Sequence, residues 1–94
     1  LRQKAKRKIA TASMYPNPAD EKVTFNYYSN ASQKLKIELY NSFGQKVYDN
    51  NLSNTSTAFD LSLKLYAPGI YCCKILSDGQ SILSEKLVII HAHE

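Results

Sequence analysis

Ninety-four residues make room for one domain and no more. Apolar residues at 44% and aromatics at 11% exclude a disordered chain, and three Gly with three Pro exclude collagen-like or low-complexity sequence. The net charge of +4 sits in a tail: Arg2, Lys4, Lys6, Arg7 and Lys8 precede a body in which seven Lys face eight acids.

Residues 1–8 therefore read as a solvated linker that proteases cut first. They lack interleaved aromatics and a companion basic patch, which argues against nucleic-acid binding. No apolar stretch follows them to make a signal peptide, and no apolar run anywhere is long enough to span a membrane. The chain does not begin with Met, as expected of a piece of a longer protein.

From Ile9 onward the hydrophobic period is two, which predicts strands and no helix. Ile9 to Met14 reads as a first strand. Val23-Thr-Phe25-Asn-Tyr27 and Leu35-Lys-Ile37-Glu-Leu39 alternate apolar with polar and predict half-buried antiparallel strands. Asn41 to Gln45 predicts a turn in which Gly44 supplies a positive φ. Lys46 to Asn50 opens a fourth strand, and Asn50 to Asn54 a polar loop. Alternation resumes over Thr57 to Leu61. Pro68 stops any helical turn in 61–67 and, with Gly69, makes a corner. Ile70 to Leu76 and Ser81 to Ile90 are the last strands, joined by a tight turn at Ser77-Asp78-Gly79-Gln80. Strands at this spacing are the signature of an all-β sandwich.

The predicted core is Val23, Phe25, Tyr27, Leu35, Ile37, Leu39, Val47, Phe59, Leu61, Leu65, Tyr71, Cys73 and Ile75. The last strand is apolar on both faces, Leu83, Leu87 and Ile89 on one and Ile82, Val88 and Ile90 on the other. That pattern means burial on both sides or an adhesive edge. Cys72 and Cys73 project to opposite sides of one strand and cannot pair without strain, so one is a small core residue and the other half exposed.

Catalytic constellations are missing. His91 and His93 stand beside the end of the sequence, where no third group is expected to hold a base rigidly. With Glu94, two imidazoles on one strand face could reach one ion, but a solvated chain end accounts for the same residues, so neither a metal nor a cofactor is assigned. The informative segments are turns. Tyr15-Pro16-Asn17-Pro18-Ala19 fixes an extended, then turned path and removes two N–H donors. In Leu65 to Tyr71, a corner Gly followed by Tyr points to a tyrosine corner, whose hydroxyl bonds back to upstream backbone.

In order, Tyr15-Pro-Asn-Pro-Ala19, Leu35-Lys-Ile-Glu-Leu39, Asn41-Ser-Phe-Gly-Gln-Lys-Val47, Phe59-Asp-Leu61, Pro68-Gly-Ile-Tyr71, Asp78-Gly79 and Glu85-Lys-Leu-Val-Ile89 form a set. The set resembles the C-terminal sorting domain of the type IX (Por) secretion system of Bacteroidetes. The resemblance covers about residues 14 to 90. It implies a seven-stranded immunoglobulin-like antiparallel β-sandwich over 14–94, preceded by a basic linker, possible first strand and cleavage region over 1–13.

It further implies a non-catalytic address attached to an upstream cargo. Such a domain is read in the periplasm by the outer-membrane translocation machinery and removed by a sortase at the cell surface. Position by position, Pro16, Asn17 and Pro18 match the opening turn, Gly44 and Gln45 the mid-domain turn, and Gly69 and Tyr71 the corner. Asp78 and Gly79 match the last hairpin, and Lys86, Leu87, Val88 and Ile89 the terminal strand. Cleavage is expected among Ala10, Thr11, Ala12 and Ser13. Cys72 and Cys73 depart from the apolar residues usual there. The alternative is an accessory adhesion or carbohydrate-binding sandwich with Tyr28, Tyr40 and Tyr48 facing outward.

Overall fold

A computed structural model describes residues 10–29, 34–53 and 57–91. The basic tail, His93 and Glu94 lie outside the described residues. Seven strands form: β1 (Ala10–Tyr15), β2 (Lys22–Ser29), β3 (Leu35–Tyr40), β4 (Lys46–Leu52), β5 (Ala58–Ser62), β6 (Gly69–Ser77) and β7 (Gln80–Ile89). Among the described residues there is no helix. The division drawn between residues 13 and 14 falls inside β1.

The strands build two sheets, a three-stranded one in the order β1-β2-β5 and a four-stranded one in the order β4-β3-β6-β7. Every paired neighbour is antiparallel. The chain crosses between sheets after β2, β4 and β5, so β3 lies beside β6 rather than beside β2. That Greek-key crossing gives each sheet one inward face, and the alternation of apolar residues fills the space between them.

The core is Val23, Phe25 and Tyr27 of β2, Leu35, Ile37 and Leu39 of β3, Tyr71, Cys73 and Ile75 of β6, and Leu83, Leu87 and Ile89 of β7, closed by Ala19, Leu52, Leu61 and Leu63. Each fully buried aliphatic side chain stabilises the fold by about 1.5–3 kcal/mol through area removed from water. Leu83, Leu87 and Ile89 are the inward face of β7 and half-buried Ile82 packs against the core, while Val88 is half-buried and Ile90 exposed on the other face.

Phe59, expected in the core, is half-buried against it, and two further expected residues are outside it. Val47 is 38% exposed because the β3–β4 register slips between Leu39 and Tyr40. Leu39 pairs with Tyr48 and Tyr40 with Lys46, which leaves Val47 as the extra residue of a bulge and turns Tyr48 and Leu52 inward. β4 also runs on to Leu52, paired with Leu35, through part of the stretch expected to be a loop. Leu65 is 96% exposed, and Leu63 takes the buried position instead. The alternation of Phe59 and Leu61 runs two residues further before the chain turns, with the Tyr66 N–H bonded to the Leu63 carbonyl at 3.1 Å.

Candidate functional site

The Pro16–Pro18 segment leaves β1 and lies along the outer edge of β7. Both peptide bonds into these prolines are cis. An edge strand presents unpaired N–H and C=O groups that must find partners. Here the Asn17 side chain supplies them. Its Nδ2 donates to the Lys86 carbonyl at 2.7 Å, and its Oδ1 accepts from the Val88 N–H at 3.0 Å. The side-chain amide thus stands in for a peptide unit of a neighbouring strand.

Ala19 continues the row through its main chain, donating to the Val88 carbonyl at 2.9 Å and accepting from the Ile90 N–H at 2.8 Å. Residues 69 positions apart are joined, and the opening turn and the terminal strand become one site. From the Lys86 carbonyl to the Ile90 N–H, the edge of β7 is covered, not adhesive.

The mid-domain turn closes on Asn41. Its Oδ1 accepts from the N–H groups of Phe43 at 2.9 Å and Gln45 at 3.0 Å, and its Nδ2 donates to Gln45 Oε1 at 2.9 Å. Gly44 adopts φ 83°, as expected, and donates to the Asn41 carbonyl. Asn41, expected only to open this turn, is the residue that caps it. An Asn two residues before an aromatic-Gly pair is a signal for this side-chain-capped turn.

At the corner, the Tyr71 hydroxyl donates to the Ala67 carbonyl at 2.7 Å, and the Tyr66 ring meets Tyr71 edge-on at 6.1 Å. The expected tyrosine corner is present. Replacing Tyr71 with Phe should cost about 0.5–1.5 kcal/mol, the net worth of one such bond. A lower urea midpoint at unchanged slope would show it.

Register places these groups. Gly69 pairs with Ile89 and Tyr40 with Cys72, so the opening turn, mid-domain turn, corner and terminal strand gather at one end of the sandwich. Gly44 and Lys86 line one shallow hollow on the outer face of the four-stranded sheet, with Tyr40, Ile70, Cys72 and Lys74. Ile70 is 54% exposed and stands opposite half-buried Val88 on that face.

Asp78 and Gly79 sit at the opposite end, where Ser77 pairs with Leu35 and Gln80. Both adopt positive φ, 51° and 83°, which the two-residue hairpin requires. Asp78 also joins β3, accepting from and donating to the main chain of Lys34.

The electrostatics of the outer face are mixed. Lys46 bonds Asp49 at 2.9 Å, which raises the amine and lowers the carboxyl, while Tyr40 donates to Glu38 and has its hydroxyl pKa raised chiefly by that bond. Lys74 lies 5.3 Å from the Tyr40 ring centre. The three tyrosines of the carbohydrate alternative do not form a platform. Tyr28 is on the three-stranded sheet, Tyr40 is covered by Lys74, and Tyr48 packs against the core.

Cys73 is buried, and desolvation pushes its thiol up to about 12, so it is inert. It sits two residues after the corner Tyr, where antibody domains place a disulfide cysteine, but both cysteines here are free. Among the described residues no three His, Cys, Asp or Glu side chains converge on a metal position. The cleavage candidates Ala10 to Ser13 are all paired to β2, opposite Ser29 to Asn26.

Two sheets linked by Greek-key crossings and tied by a tyrosine corner define an immunoglobulin-like sandwich. The sequence matches the secretion system C-terminal sorting domain over residues 13–90, so the chain belongs to that family, the sorting signals of the type IX secretion system. Such a domain directs its carrier toward the cell surface or the exterior, and domains of this kind are typically non-catalytic. Among solved structures, dimeric latent PorU from Porphyromonas gingivalis shares the fold, with a TM-score of 0.72 at 16% identity over 93% of this chain. The chain spans 10% of that protein's length. No curated protein matches the sequence.

Proposed function

We propose that the domain is the removable, non-catalytic address of an upstream cargo. The outer-membrane translocation machinery reads it in the periplasm, and a sortase then cuts it off within Ala10 to Ser13. The single observation that carries this reading is the family match over residues 13–90. The address needs no cofactor, because recognition is by surface.

The surface we assign to recognition is the outer face of β6 and β7, centred on Ile70, Lys86 and Val88. Three features support it. Three of the four motif-bearing turns gather at that end, Ile70 is exposed there, and the Asn17 side chain holds β7 in place. Strand addition at residues 86–90 would first have to displace Asn17 and Ala19, which favours a face over an edge. Cleavage in β1 also requires Ala10 to Ser13 to unpair from β2.

The test is a reporter with an inner-membrane signal, fused to residues 9–94 in a bacterium carrying the type IX system. Surface or medium reporter should depend on the domain and fall with Ile70→Asp or Lys86→Glu, while the variant domains keep their urea midpoints. Equal export without the domain would overturn the reading. Full export of both variants would move recognition elsewhere on the domain.

A further inference from the structure

The end of β7 is fastened by a side chain that the sequence reading left in a loose terminus. His91 is partly buried and faces two acceptors from different connections. Its Nε2 lies 2.7 Å from the Tyr66 carbonyl of the β5–β6 connection. Its Nδ1 lies 3.4 Å from Asp20 Oδ1 of the β1–β2 connection.

A carbonyl and an ionised carboxylate only accept, so each ring nitrogen must carry a proton to bond its partner. Only the imidazolium has both protons. The neutral ring has one, and whichever nitrogen loses it turns a lone pair toward an acceptor. We infer that His91 is a proton-operated latch that closes the end of the last strand onto the β1–β2 and β5–β6 connections.

The latch adjoins the row of bonds on the β7 edge. Ile90, next to His91, donates to the carbonyl of Ala19, and Ala19 is next to Asp20. Opening the ring's contacts frees both ends of that last bond. The groups around the ring are few. Among the described residues, Asp20 is the charge that faces it. Glu21, Lys22, Asp60 and Lys64 line the same surface hollow as Asp20. On the other side, burial raises the Tyr66 hydroxyl, so it stays neutral where His titrates.

The bond to the Tyr66 carbonyl, then that to Asp20, hold the His91 pKa above its ordinary 6.5. A raised folded value means the latch contributes fully below about pH 6.5 and is lost as pH rises through the folded value.

Amide hydrogen exchange of the full chain, corrected for intrinsic rates, tests it between about pH 5.5 and 8.5, the range His titration spans. Protection of the Ile90 amide should fall several-fold across that range, while the Ile37 amide in β3 should not follow it. His91→Gln keeps a donor but no titration, and should flatten the Ile90 profile. Asp20→Asn should move its midpoint to lower pH, and His93→Gln should leave it unchanged. A flat Ile90 profile in the parent chain would overturn the latch. So would a parent-like profile in His91→Gln or its disappearance in His93→Gln.

Discussion

A chain cut after Ser81 should lose its cooperative fold, not persist as a folded domain without a signal. The cut removes Leu83, Leu87 and Ile89, all buried in the core. At about 1.5–3 kcal/mol each, their loss is of the same order as the roughly 5–15 kcal/mol that stabilises a whole domain. It also strips β6 of its only partner on that side of the sheet and leaves Asn17 and Ala19 unbonded. The expected result is the disappearance of the sigmoidal urea transition. A retained transition would show that six strands suffice. Export lost on such truncation would therefore report unfolding as readily as a missing signal. The outer-face variants at Ile70 and Lys86 separate the two, because neither side chain fills the core.

Phe25→Ala should be the most damaging single substitution in the three-stranded sheet. Phe25 is fully buried on the central strand, opposite Met14 of β1 and Phe59 of β5. Truncating a buried Phe costs about 3–5 kcal/mol, part lost transfer and part cavity. In a domain of this size each kcal/mol lowers the melting temperature by roughly 4–8 °C. Calorimetry should thus show a fall of well over ten degrees if the site does not collapse. A shift of only a few degrees would mean that Met14 and Phe59 close the gap.

The strands of this fold were legible because alternation survives wherever one face is buried. Val23 to Tyr27 and Leu35 to Leu39 are read directly in that way. Parity failed where the register slipped. Nothing in Lys46-Val-Tyr48 announces that Val47 is a bulge, since a bulge is set by how β4 docks on β3. Leu63 and Leu65 share parity, and only the turn made by Tyr66 and Leu63 decides between them.

The turns were legible as turns, through Pro, Gly and Asn, but not their partners. That Asn17 reaches Lys86 and Val88 is a long-range fact with no local trace. The same holds for His91, whose two acceptors come from connections far away in sequence. The pattern of the last strand posed its question correctly, as two apolar faces. The answer, one face in the core and the edge covered by an earlier segment, came from tertiary structure.

The bond between the Val88 N–H and Asn17 spans 71 positions, and that span sets an order of events. A polypeptide is made from its N-terminus, so Asn17 waits for its partner until nearly all later strands have emerged. A chain interrupted anywhere before Lys86 leaves the opening turn empty-handed and the core short of its last layer. The finished shape thus certifies that synthesis has passed Ile90, and a reader that binds only this shape passes over products that stop short of it.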